Sequence, residues 1–269
     1  MIIGTKEFQT EQKGYIMGIL NVTPDSFSDG GHYDQIDAAL FQTEKMIKEG
    51  ADIIDIGGES TRPNYTRISD EEEIGRVLPV IEAVKSRFDT VISLDTYKSQ
   101  VAEAGIKAGA DLINDIWGLK WDGTMAEVIA RGKVAACLMH NRKNTDYSDY
   151  INDVMADLKE TMDMAEQAGI ARDKIMLDPG IGFAKNLREN RLLMKHLSRL
   201  CEFDVPVLLG TSRKSMIGLT LDLPVDQREE GTIATTVMGY MAGCRFFRVH
   251  NVKANKRALM MTEAICNQD

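Results

Sequence analysis

TVISLDTYKSQVAEAGIKAGADLIND (residues 90–115) decides the fold. Two short apolar runs, TVISLD (90–95) and ADLIND (110–115), carry aliphatic residues on both faces and end in Asp or Asn. That is the pattern of parallel strands covered on both sides. Between them QVAEAGIKAG (100–109) has helical spacing and closes on a glycine, a helix stop. Outward from this unit the alternation repeats. YIMGILN (15–21) and ADIIDIG (51–57) precede it, and VAACLMH (134–140), KIMLD (174–178), VPVLLGTS (205–212) and CRFFRVH (244–250) follow. Helical stretches lie between them at 38–50, 70–84, 152–169, 189–197 and 231–243. Eight strands alternating with helical stretches predict an α/β protein of the (β/α)8 barrel type. The competing doubly wound sheet usually carries a glycine-rich phosphate turn after its first strand, and no G-x-G-x-x-G occurs here. No Pro/Gly/Ser linker divides the 269 residues, so 1–269 reads as one domain.

Composition narrows the partners. With 41 acidic and 32 basic residues the formal charge is −9, which argues against nucleic acid or an anionic membrane surface. A small anionic substrate needs only a local basic cluster and stays allowed. The four cysteines are scattered without a CxxC, so a disulfide framework or structural zinc site is not expected. MIIGTKEFQTEQKG at the start carries no apolar signal region, and no run approaches the roughly 18 apolar residues of a membrane span. A cytoplasmic enzyme is the expectation.

In a barrel of this type the chemistry sits at the C-terminal ends of the strands. Those ends carry Asn21, Asp55, Asp95, Asn114 with Asp115, His140, Asp178, Ser212 and His250. Singly each could be a loop cap; a carboxylate, amide, hydroxyl or imidazole at every end points to a site. Two loops, VTPDSFSDGGHYDQ after strand 1 and GGESTRPNYTRIS after strand 2, exceed the usual βα length of roughly 2–6 residues and read as mobile lids.

MGILNVTPDSFSDGG (17–31), DIGGESTRP (55–63), SLDTYK (93–98), INDIWG (113–118), LMH (138–140), DPGIGF (178–183), GTSRKS (210–215) and FRVHNV (247–252) together resemble the dihydropteroate synthase family, from about residue 15 to the end. The resemblance implies a transferase of folate biosynthesis. It would join 6-hydroxymethyl-7,8-dihydropterin diphosphate to p-aminobenzoate, releasing pyrophosphate and 7,8-dihydropteroate. It also implies a sulfonamide target, a Mg²⁺ ion, and a homodimer meeting through helices of the later barrel units.

Residue by residue, the resemblance places the pterin edge on Asp178, Asn114, Asp95 and Lys214, with Ile116 and Met139 against the ring faces and Phe183 closing the pocket. Plain core packing would explain Ile116 and Met139 equally well. Arg248 and His250 grip the diphosphate, and Asn21 is the protein ligand of the Mg²⁺ that bridges its oxygens. Phe27, Thr61, Arg62, Pro63 and Ser215 hold p-aminobenzoate, with Asp29 completing that site. Asp95, Lys214, Asp29 and Arg62 are the implied catalytic set. Pyrophosphate is expected to leave first, giving a pterin cation that the amine attacks. A pterin-binding methyltransferase would share the barrel and the pterin readers, but needs no diphosphate site. His140 has no implied chemical role.

Overall fold

The computed structural model describes residues 1–23, 32–60 and 66–268. Its centre is an eight-stranded parallel sheet: β3 (Tyr15–Asn21), β4 (Ile53–Gly57), β5 (Val91–Asp95), β6 (Leu112–Asp115), β7 (Ala135–Met139), β8 (Ile175–Asp178), β9 (Leu208–Leu209) and β10 (Phe246–Val249). The order is β8-β7-β6-β5-β4-β3-β10-β9, and a parallel bridge between Leu177 and Val207 brings the two ends together. The expected (β/α)8 barrel is therefore the fold, in one domain.

Alternation along each strand separates two apolar layers. One set, including Ile16, Ile54, Ile92, Ile113, Leu138, Leu177 and Phe247, forms the large core shared with the helices. The other set, Met17, Ile53, Val91, Leu112, Cys137, Met176, Leu208 and Phe246, forms a distinct cluster filling the N-terminal end of the barrel. Each helix buries its apolar stripe against the outer layer. Helix α2 (Asp70–Arg87) starts where its acids predict, with Ser69 accepting from Glu72 N as N-cap. Asn186 and Glu189 close a capping box on α6 (Leu187–Lys195). The stretches expected to be helical are α1 (His32–Glu49), α2, α3 (Ser99–Ala108), α5 (Tyr150–Gln167), α6 and α8 (Glu229–Met241).

Three features differ from the sequence reading. The expected strand 205–212 shortens to Leu208–Leu209, because Pro206 has no N–H; its carbonyl instead accepts from Leu177 N at 3.0 Å and helps close the barrel. Within residues 1–14, where the sequence reading places no strand, β1 (Ile2–Ile3) and β2 (Lys6–Glu7) form an antiparallel ribbon. That ribbon plugs the barrel floor with Ile3 and Phe8, whose ring lies 4.8 Å edge-on to Tyr15. Helices α4 (Met125–Gly132), α7 (Ser215–Leu221) and α9 (Val252–Cys266) complete the ring. Among the described residues no helix is long and apolar enough to cross a membrane.

Candidate active site at the C-terminal mouth of the barrel

Two residues beyond the apolar floor, the inward position turns polar on five of the eight strands, becomes glycine on one and stays apolar on two. Met17, Ile53, Val91, Leu112, Cys137, Met176, Leu208 and Phe246 are followed at i+2 by Ile19, Asp55, Ser93, Asn114, Met139, Asp178, Gly210 and Arg248. Side chains at i and i+2 of a strand share a face, so these residues form the layer above the floor. Strand register then sets Asn21, Gly57, Asp95 and Asn114 side by side across four neighbouring strands.

A guanidinium ties this layer together. Arg248 Nε donates to Asp55 Oδ2 and Arg248 Nη2 donates to Asp95 Oδ2, each at 2.6 Å. Asp55 is fully buried; Ser93 Oγ donates to its Oδ1 at 2.5 Å and Asn114 Nδ2 reaches its Oδ2 at 3.4 Å. Burial and the neighbouring Asp55 charge raise the Asp95 carboxyl to about 7, against the pull of Arg248. Burial alone would depress the Arg248 guanidinium, but the two carboxylates hold it above its ordinary value. Asp95 Oδ1 is buried without a hydrogen-bond partner among the described residues. A buried polar atom left open in this way is a mark of a site awaiting a ligand.

Asp178, at the end of β8, is 5% exposed, and its Oδ1 accepts from Gly180 N at 2.7 Å. Burial raises its carboxyl, opposed first by Lys214. Lys214 donates to Ile181 O at 2.5 Å and lies 4.8 Å from the Phe183 ring centroid; burial lowers its ammonium to about 8, against the attraction of Asp178. Gly210 is where these groups converge. A Cβ there would sit 3.7 Å from Asp178 Oδ2, 3.8 Å from Arg248 Cβ and 3.9 Å from Lys214 Nζ. Gly57 plays the same part on the other side, 3.6 Å from Asp95 Oδ2 and 3.8 Å from Asn21 Oδ1 by the same measure.

One wall is apolar. Ile116, Met139 and Tyr97 form a small buried cluster, separate from both larger cores, with Phe183, Trp117 and Trp121 packed on it. Ile116 and Met139 thus belong to the mouth rather than to the general core. His250 lies just beyond β10, its Nδ1 2.9 Å from Ser212 Oγ. Ser215 is exposed and opens α7, directly after Lys214. Phe27, Asp29, Thr61, Arg62 and Pro63, in the middle parts of the two long loops, lie outside the described residues.

Several groups at the mouth escaped the sequence reading. Asp55 was noted only as a strand-end residue, yet it is the buried anchor of Arg248; alternation from Ile53 would have pointed it inward. His140 is buried between Asp157 and Lys185, with Nε2 2.8 Å from Asp157 Oδ2 and Nδ1 2.8 Å from Lys185 Nζ. The polar stretch 141–151 supplies Arg142, which pairs with the same Asp157.

The barrel mouth thus combines a buried carboxylate with a lysine, an apolar wall and a carboxylate-held arginine, groups chemically able to meet a flat, N–H-bearing ring with an anionic substituent. The profile of the pterin-binding enzymes matches residues 17–250. A dihydropteroate synthase of Clostridium beijerinckii is 56% identical over 98% of this chain and 99% of that one. The solved dihydropteroate synthase of Clostridium difficile, determined in the presence of pteroic acid, superposes with a TM-score of 0.95 at 46% identity, covering 97% of this chain and all of the other. That of Yersinia pestis, in a sulfonamide drug complex, gives 0.91 at 42% identity, over 99% and 98% of the two chains. The chain belongs to the dihydropteroate synthase family of pterin-binding enzymes.

Proposed function

We propose that the chain is a transferase that joins 6-hydroxymethyl-7,8-dihydropterin diphosphate to p-aminobenzoate, forming 7,8-dihydropteroate and pyrophosphate, and that sulfonamides compete at its p-aminobenzoate site. The convergence of Asp178, Lys214 and Arg248 around Gly210 is the observation that carries this reading. A buried carboxylate accepts two N–H groups of an aminopyrimidinone edge strongly. Asn114 and Asp95 meet the remaining ring donors and acceptors, Lys214 the carbonyl side, and Ile116, Met139 and Phe183 enclose the faces.

Arg248 uses two of its five N–H donors on Asp55 and Asp95, which leaves three for the diphosphate, with His250 beside it. Mg²⁺ fits the same corner. Asn21 Oδ1 and Asp95 Oδ2 flank Gly57, the buried Asp95 Oδ1 has no partner among the described residues, and this ion keeps several waters and needs few protein ligands. Among the described residues no group of three or more His, Cys, Asp or Glu could hold a metal. Asn21 would be the protein ligand of the ion, with the substrate diphosphate supplying further oxygens. When bound, the ion neutralises charge on the leaving group.

Pyrophosphate departs first in this scheme, the neutral aromatic amine then attacks the exocyclic methylene of the pterin cation, and the N–H proton it sheds passes to the released pyrophosphate or to water. Asp95 faces the cation as a counter-charge, and Ser215 receives the p-aminobenzoate carboxylate together with Phe27, Thr61, Arg62 and Pro63; Asp29 and Arg62 act in turnover with Asp95 and Lys214. Isotope scrambling tests the order. A pterin diphosphate labelled with ¹⁸O at the bridging ester oxygen, bound without p-aminobenzoate, should move label into non-bridging positions. Turnover without scrambling would exclude a dissociated intermediate held on the enzyme. For the overall reaction, dihydropteroate and pyrophosphate should appear in equal amounts.

Two further readings follow the family. Leu219 and Leu221 of α7, Met238 and Met241 of α8, and Met261 and Ile265 of α9 are large, exposed and apolar, which supports a homodimer through these helices. Sedimentation should give twice the monomer mass. A cytoplasmic location fits the four free cysteines.

A further inference from the structure

The loop from Asp178 to Phe183 carries two of the proposed pterin contacts, and its own backbone supplies one turn bond, from Phe183 N to Gly180 O at 3.1 Å. It is held by buried side chains. Gly180 cannot carry a Cβ: its φ is +69° and the added atom would lie 2.0 Å from His140 O. Its N–H is bonded to Asp178 Oδ1, and its carbonyl accepts from Lys185 Nζ at 3.0 Å. The same ammonium donates to Phe183 O at 2.9 Å and to His140 Nδ1 at 2.8 Å. His140 O lies 3.5 Å from the same nitrogen, and burial lowers the ammonium to about 7, against the attraction of Asp178.

This inventory fixes the rest of the chain of contacts. To accept from Lys185, His140 Nδ1 must present its lone pair, so the ring proton sits on Nε2 and is donated to Asp157 Oδ2. Burial holds the His140 imidazole down at about 4, which keeps it neutral near pH 7. Asp157 is fixed in turn by a two-pronged pair with Arg142, Nε to Oδ2 at 2.5 Å and Nη2 to Oδ1 at 3.0 Å. His140 N also donates to Asp178 O at 2.9 Å, linking the ends of β7 and β8.

We propose that Lys185 is a positioning residue for the pterin site: oriented by the His140–Asp157–Arg142 chain, its ammonium clamps the Gly180 and Phe183 carbonyls and so aims the Asp178 carboxylate and the Phe183 ring. This rests on the pterin-binding reading above. Lys185 touches no substrate in it; Lys214, on the opposite side of the loop at Ile181, is the substrate-facing lysine.

Lys185→Met removes the ammonium at similar volume, and Asp157→Asn disturbs the chain at its partly exposed end. Both variants would be compared with the unaltered chain by calorimetric titration of 6-hydroxymethyl-7,8-dihydropterin diphosphate, steady-state kinetics and thermal unfolding. Lys185→Met should weaken pterin diphosphate binding and raise its KM at least tenfold, with a smaller loss in kcat. Asp157→Asn should shift both in the same direction by a few-fold, and the double variant should bind no worse than Lys185→Met alone. A purely structural role would lower the folded fraction and hence kcat, leaving KM unchanged; that result, or additive effects in the double variant, would overturn the proposal. If Lys185→Met fails to fold, an unchanged affinity in Asp157→Asn overturns it equally. Absence of binding by the unaltered chain would overturn the functional reading and this inference with it.

Discussion

Arg248 Nε donates to Asp55 Oδ2 at 2.6 Å from a strand that is not its neighbour: β3 lies between β10 and β4, so the guanidinium spans the barrel mouth. Because Asp95 takes a second N–H of the same group, three strands are joined by one side chain. The guanidinium is thereby held in place before any substrate arrives, and no side-chain search is needed when charge develops on a leaving group.

Asp55→Asn should therefore act on both stability and turnover. The variant keeps one acceptor oxygen in place of two, so either Ser93 or Arg248 meets an amide N–H, and it loses the charge; a charge-assisted bond of this kind contributes about 2 kcal/mol. Urea unfolding should report a loss near that size, and kcat should fall because Arg248 is no longer aimed. An unchanged midpoint and unchanged kcat would show that Asp95 alone suffices.

Asp178→Asn should weaken pterin binding by about 2–4 kcal/mol, since a buried N–H pair loses its charged acceptor. Calorimetric titration with pterin diphosphate measures this directly. Normal affinity would remove Asp178 from the pterin site.

Two glycines of the mouth should respond in opposite ways to alanine. At Gly180 the left-handed backbone and the His140 carbonyl both oppose a Cβ, and backbone strain of this type alone costs of order 1–3 kcal/mol. Thermal unfolding of Gly180→Ala should show a clear drop. At Gly210 no neighbour comes closer than 3.7 Å, so Gly210→Ala should fold normally while filling the space between Asp178, Arg248 and Lys214 and weakening ligand binding. Equal stability losses in the two would contradict this distinction.

Lys214 gives a pH signature. Its ammonium is lowered to about 8 from an ordinary 10.5, largely by burial, so the cation is lost as pH rises through 8. Pterin diphosphate affinity should decline between pH 7 and 9. Stability should move the other way in that window: above pH 8 the unfolded chain binds more protons at this lysine than the folded one, so its contribution to folding becomes less unfavourable as pH rises. Titrations at pH 7 and 9, paired with unfolding at the same values, separate the two signs.

The barrel was legible because each strand announces itself twice, by an apolar run and by a polar stop. The polar mouth was legible where its residue stands at such a stop, as Asn21, Asp95, Asn114 and Asp178 do; their roles there are the ones proposed above. Asp55 was harder to place, since it lies inside its strand, two residues before Gly57. The Lys185–His140–Asp157 contacts join residues from three elements with no common spacing, and only the folded chain brings them together. The β1–β2 ribbon has strands of two residues, too short for any period to appear. β9 was over-read because the loss of the Pro206 N–H outweighs a favourable run of valine and leucine.

Formation of dihydropteroate from pterin diphosphate and p-aminobenzoate, followed with and without Mg²⁺, tests the central claim most directly. The expected result is product equimolar with pyrophosphate when the ion is present, and little or none when it is chelated. Absence of product with Mg²⁺ and both substrates supplied, from a chain that binds pterin diphosphate, would contradict the assignment of a transferase.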